Sequence, residues 1–205
     1  MVEGQLDPAA ALALLESQER RVRAALDPGL ALTFLTWGMA WLVGFGSIWW
    51  QVREQSPYLG PQGAVAGLFA VLLTAAAIFT GWRTQRAVAG IGGESARRGR
   101  LYGLAWLAGP LALFATFAAL GRAGAAAPVL GVLGACGPLL VVGLMYLFGA
   151  ACFGSRPMGV LGAWLLVLAA CIGFTGPVIA AGLAALLAGG GFLVTAAVVA
   201  RRGRR

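Results

Sequence analysis

The chain has 205 residues, 60% of them hydrophobic and 11% charged, and its net charge of +8 is carried without a single lysine. Soluble domains hold about a quarter charged residues, so this composition excludes an ordinary soluble fold and points to one membrane domain. Histidine is absent, which excludes His-dependent serine catalysis, His-ligated haem and HExxH-type zinc chemistry.

Asparagine is missing as well as lysine, a pattern that fits a GC-rich bacterial genome. A pI near 11 is compatible with nucleic acid, but the arginines flank apolar stretches, where anionic lipid headgroups are the simpler counter-charge. We expect membrane lipids as partners and no nucleic acid. Cys136, Cys152 and Cys171 fall in apolar helical surroundings with no CxxC pair, so no disulfide framework, metal site or cofactor is expected.

Residues 7–26 read as an amphipathic helix opened by Asp7-Pro8, with Leu12, Leu15, Val22 and Leu26 on one side. Glu16–Arg20 and Glu19–Arg23 are i,i+4 pairs in the favourable order. Asp27-Pro28-Gly29 is expected to end this helix. With Glu3 and Asp7 at its start the segment does not resemble a secretory signal, so the first span is expected to stay in the mature protein.

Residues 30–50 contain no ionisable side chain, and as a helix they extend about 31 Å, the thickness of a hydrocarbon core. A polar linker, 51–61, leads to a second span at about 62–82, which opens with Gly63-x-x-x-Gly67. The connection 83–100 holds Arg83, Arg86, Arg97, Arg98 and Arg100 against the single acid Glu94. Its Gly90-Ile91-Gly92-Gly93 run fits neither a Walker A loop nor a Rossmann fingerprint and reads as a flexible linker. Further spans are expected at about 101–120, 127–153, 158–174 and 178–200, before a basic tail, Arg201 to Arg205.

The predicted fold is therefore all-α and polytopic: six transmembrane helices behind an N-terminal cytoplasmic amphipathic helix. With both termini in the cytoplasm, 13 of the 15 arginines face inward and only Arg53 and Arg122 face outward. Trp49, Trp50 and Tyr58 would mark the outer interface, Trp82 and Tyr102 the inner one. The expected location is a bacterial inner membrane.

No Asp, Glu, Lys or Arg lies within a span, which argues against proton relays and voltage sensing. No catalytic residue is expected. The candidate ligand site is positional. Pro110, Pro138 and the triplet Gly189, Gly190 and Gly191 fall near the bilayer midplane, where breaks in transporter helices free backbone groups to line a cavity. Phe34, Trp37, Trp41 and Phe45 form an aromatic stripe on one helix face with Trp41 close to the same depth. Such a wall suits a neutral or lipid-like ligand, since no carboxylate is at hand for a cation. The competing expectation is that glycine, proline and aromatics here serve packing alone.

The arginines of the inner face, Arg20, Arg21, Arg23, Arg83, Arg86, Arg97, Arg98 and Arg100, are expected to meet lipid headgroups or a cytoplasmic protein, an ATPase or a regulator. In size, span number and inward termini the chain is similar to the substrate-binding subunits of energy-coupling-factor vitamin transporters. Its amphipathic segment and basic first inner loop resemble compact ABC-2-type export permeases, although the short turn between spans five and six departs from the re-entrant segment of that family. Both resemblances imply the membrane subunit of a transport system. The alternative is a membrane-anchored scaffold that recruits a soluble partner.

Overall fold

The structure, a computed structural model, describes residues 8–87 and 94–203. The Gly90–Gly93 linker, the side chains of Arg20, Arg21 and Arg23, and the last two arginines of the tail lie outside the described residues.

Every described element is helical. Helix α1 spans Pro8–Val52, α2 Gly63–Ala87, α3 Glu94–Arg122, α4 Ala127–Phe153 and α5 Arg156–Ile172. The last helix, α6, covers Pro177–Arg202: α-helix to Leu183, a π-helical segment Ala184–Gly189, then α-helix from Gly190. Prolines just inside the first turns of α4, α5 and α6 set their starts, because the missing N–H has no helical partner there anyway. Gly154 ends α4 in the left-handed region at φ 64°, which a residue with a Cβ avoids.

One expected boundary is corrected. The helix does not stop at Asp27-Pro28-Gly29 but runs unbroken from residue 8 to residue 52, 45 residues in all. A proline inside a helix costs one hydrogen bond and a ring clash, about 3 kcal/mol, and does not forbid continuation. Pro28 directly precedes the apolar stretch Gly29–Val52, outside the span.

Five segments are long and apolar enough to cross a membrane: Gly29–Val52, Gly63–Arg86, Arg97–Arg122, Ala127–Phe153 and Pro177–Arg202. The chain is a multi-pass membrane protein on this ground. The remaining predicted span, the fifth at 158–174, corresponds to α5, which is apolar but has only 17 residues, about 26 Å of helix.

Successive helices run antiparallel, and the close approaches give their register. Along α1 and α6, Gly38 meets Phe192, Leu42 meets Gly189 and Trp49 meets Gly182. The tightest pair is α4 with α5. A Cβ on Gly162 would lie 2.8 Å from both the Gly143 carbonyl oxygen and the Leu147 nitrogen, so two backbones touch where side chains are missing. In lipid, where apolar surface gains little by leaving its surroundings, such small-residue packing is what holds helices together. No buried polar or charged residue occurs among the described ones. The Gly63-x-x-x-Gly67 motif makes no such contact; the Cβ positions of both glycines are open.

Arg83, Arg86, Arg97, Arg98, Arg100, Arg156, Arg201 and Arg202 all fall at helix ends on one side of the bundle, and Arg53 and Arg122 on the other. At the sparse end the Arg53 guanidinium lies 3.4 Å from the Trp50 ring centre; at the basic end Arg86 lies 3.9 Å from that of Trp82. Tyr58, in the linker before α2, packs its phenol against Gly131, and burial pushes its pKa up.

Candidate functional site

Helices α1, α6, α5 and α4 carry most of the core, while among the described residues the backbone of α2 comes close only to α1 and that of α3 only to α4. Among the described residues no Cα of α1 comes within 8 Å of one in α3 or α4, and none of α2 within 8 Å of one in α3. The molecule is thus two helix groups, α1–α2 and α3–α4–α5, joined by α6. Rings bridge the gap from α1 to α3 and α4. Phe34 lies 5.7 Å from Tyr146, Trp37 lies 6.1 Å from Trp106, and Trp106 lies 5.5 Å from Tyr146. Phe192 of α6 closes the back, 5.7 Å from Tyr146 and 5.5 Å from Trp41. These spacings are those of favourable tilted and edge-to-face aromatic pairs.

Of the aromatic stripe, Phe34, Trp41 and Phe45 are 0, 1 and 2% exposed, buried in this seam among other rings. Trp37 is partly exposed and donates its indole Nε1–H to the Thr80 hydroxyl of α2 at 3.0 Å. Gly189 is pressed to α1; its Cβ would stand 2.9 Å from the Leu42 nitrogen. Gly190 faces open space, and Gly191 lies against the Trp164 indole. Gly189 thus touches α1 at Leu42, next in sequence to Trp41 of the stripe. Pro110 and Pro138 sit across the seam, inside α3 and α4, which run through them as continuous helices. Their neighbours Gly109 and Gly137 receive Val141 and Leu113, so the two prolines share one level of the α3–α4 contact.

Two polar features stand out in these apolar helices, the first at the surface and the second in the core. The Leu187 carbonyl of the π segment accepts a hydrogen bond from the Trp164 indole at 3.0 Å. The π segment lies directly before Gly190, at the point where the glycine triplet weakens the helix; single π turns of this kind recur at functional sites. The Trp41 indole N–H, in contrast, is buried without a partner. An orphaned buried donor costs about 1–3 kcal/mol.

The arginines of the basic end cluster at the helix termini. Arg83 and Arg86 end α2, and Arg97, Arg98 and Arg100 begin α3. The Arg83 guanidinium reaches the start of the α1 span, where a Cβ on Gly29 would lie 3.1 Å from its Nη2. No group of three or more His, Cys, Asp or Glu side chains gathers among the described residues, and the three cysteines are free thiols.

The residues that complete the seam, Thr80, Tyr102, Trp106, Tyr146 and Phe192, are absent from the sequence-derived set. For Trp106, Tyr146 and Phe192 the signal was the one that picked out Trp41, an aromatic well inside a span rather than at an interface; Thr80 carried no such signal, and Tyr102 read as an interfacial residue. No protein-family model, no curated protein and no solved structure matches this chain.

Proposed function

We propose that this protein is the ligand-binding membrane subunit of a transport system for a lipid or other uncharged apolar molecule, energised by a cytoplasmic ATPase. The observation that carries the reading is the seam between α1 and α4, bridged by aromatic side chains, with no close backbone approach of α2 to α3 among the described residues. An apolar ligand would enter such a seam sideways from the bilayer and exchange ring contacts for its own. Phe34, Trp37, Trp41 and Phe45 would line its α1 wall, with Gly189, Gly190 and Gly191 behind and Pro110 and Pro138 opposite. The apolar spans offer no group to couple movement to an ion gradient, so energy would come from a partner.

In this reading α5 also crosses, since short turns at both its ends join helices that do, and 17 residues lie at the lower limit for a span. Both termini then share a side, and the arginine excess makes that side the cytoplasm of a bacterial inner membrane.

One observation favours the scaffold instead. The segment 8–28 continues α1 without a break, about 31 Å of helix beyond the span, a shape suited to recruiting a soluble protein. Purification of the full chain from its native membrane in mild detergent separates the two. A copurifying ATPase together with a retained apolar molecule supports transport. A copurifying kinase or transcription factor, with no small molecule retained, overturns it.

A further inference from the structure

On the face of α1 that looks away from the buried Trp41 and Phe45, α1 and α2 leave an open groove of about 610 Å³ toward the sparse end of the bundle. That volume falls within the roughly 300–1,000 Å³ of small-molecule sites. Val43 and Gly46 of α1, with Val65 and Leu68 of α2, line its apolar part; Ser47, Trp50 and Gln51 line the rest. A Cβ placed on Gly46 would have nothing within 4 Å, so the groove is unfilled there. The Ser47 hydroxyl donates to the Val43 carbonyl at 2.7 Å and keeps its oxygen as an acceptor. The Gln51 side-chain oxygen accepts from the Gln62 backbone N–H at 2.8 Å, which leaves its amide N–H groups to donate. The span ends at Val52, so Arg53 and Glu54 stand at headgroup level. The Arg53 guanidinium lies 3.4 Å from the ring centre of Trp50, at the rim of the groove, and its Nε–H donates to Glu54 at 3.1 Å. Its Nη groups have no acceptor among the described residues, and the Glu54 side chain is 82% exposed. Gln55 pins the linker behind this pair, donating to the Gly60 carbonyl and accepting from the Leu59 and Gly60 N–H groups. Ten residues of helix separate Val43 from Arg53 by about 15 Å.

We propose that this groove binds a zwitterionic phospholipid with a primary amine, of the phosphatidylethanolamine type. One acyl chain lies along Val43, Gly46, Val65 and Leu68, an ester oxygen meets the Gln51 amide, the phosphate meets the Nη groups of Arg53, and the ammonium meets Glu54. The site is separate from the aromatic seam and goes beyond the proposed function. Charge decides the lipid class. A guanidinium beside a carboxylate complements a phosphate beside an ammonium, each contact a charge-assisted hydrogen bond. An anionic lipid finds a partner in Arg53 alone and is repelled by Glu54. Choline brings no N–H to donate to the carboxylate. The order along the groove decides for a whole phospholipid over a second copy of the chain: apolar side chains, then a hydroxyl and an amide, then an ion pair follow one another over about 15 Å, as acyl chain, ester and headgroup do.

The test places the full-length protein in nanodiscs made from equal parts of phosphatidylethanolamine, phosphatidylglycerol and phosphatidylcholine and reads retained lipid by native mass spectrometry. Selective retention of phosphatidylethanolamine is expected. Arg53→Gln should weaken it by roughly fivefold. Glu54→Gln should bring phosphatidylglycerol level with phosphatidylethanolamine, a relative change of up to about fivefold. Gly46→Leu, whose added Cβ meets nothing and whose helix propensity is better, should abolish retention without lowering the melting temperature. If Gly46→Leu melts early, Glu54→Gln decides alone, and unchanged selectivity overturns the proposal. Equal retention of all three lipids, lost together in Gly46→Leu, would leave an acyl-chain groove and overturn the headgroup assignment. Phosphatidylethanolamine retained undiminished by a stable Gly46→Leu would lie elsewhere and overturn the groove. A wild-type protein that holds no lipid, or that runs as a dimer split by Gly46→Leu, overturns the proposal as a whole.

Discussion

The indole of Trp37 donates to the hydroxyl of Thr80 across 3.0 Å, the one side-chain hydrogen bond between α1 and α2 among the described residues. It holds an aromatic residue of the stripe at the edge of the buried core, beside Trp106 of α3. Thr80→Val keeps the shape and removes the acceptor. Interhelical hydrogen bonds in membranes average about 0.6 kcal/mol, so a loss of about 0.5–1.5 kcal/mol is expected in thermal or SDS-induced unfolding. Thr80→Ser, which keeps the oxygen, should lose less than half as much.

Trp41 carries the opposite case, a buried indole N–H with no acceptor. Trp41→Phe removes the orphan donor and keeps a ring against Phe45 and Phe192, so stability should be unchanged or raised by up to about 1 kcal/mol. Trp41→Ala should cost about 3–5 kcal/mol by leaving a cavity. Equal losses in the two variants would mean that the N–H has a partner.

Adjacent glycines of α6 should respond with opposite signs. A methyl at Gly189 meets the α1 backbone at Leu42 and forces the helices apart, for which about 1–3 kcal/mol of destabilisation is expected. A methyl at Gly190 meets nothing, and the better helix propensity of alanine should leave stability unchanged or raise it by up to about 1 kcal/mol. The comparison, read from unfolding curves of Gly189→Ala and Gly190→Ala, isolates packing from backbone entropy.

The proposed orientation is checked by labelling. With Cys136, Cys152 and Cys171 replaced by Ser, a single cysteine at Arg97 should react with a membrane-impermeant maleimide only after the cytoplasmic face is opened. One at Leu59, exposed in the linker before α2, should react in intact spheroplasts. The reverse pattern would invert the protein and remove the cytoplasmic partner.

Much of this architecture is legible in the sequence for a plain reason. In a membrane chain the helix is the only local solution, so apolar length and charged flanks define spans directly. The expected bounds of α4, 127–153, coincide with the observed ones because Pro128 and Gly154 punctuate both ends. Asp27-Pro28-Gly29 misled for the converse reason: a local break signal carries a cost of a few kcal/mol, and a helix continuing on both sides can absorb it. The glycine triplet marks the region of the π segment, but which residues form it depends on how α6 packs against Leu42 and Trp164. The seam was beyond reach. Tyr146 and Trp106 meet Phe34 and Trp37 because α1 and α4 stand apart in the bundle, a fact about neighbours that periodicity along one helix does not contain.

The opening of the seam to lipid is tested most directly by quenching with brominated acyl chains. Two single-tryptophan proteins, one keeping Trp106 and the other Trp41, with the remaining tryptophans changed to Phe, are placed in bilayers containing brominated phosphatidylglycerol. Trp106 is expected to be quenched strongly and Trp41, at 1% exposure, hardly at all. Equal quenching of the two, or a Trp106 as protected as Trp41, would mean that the seam is closed to the bilayer and the account is wrong.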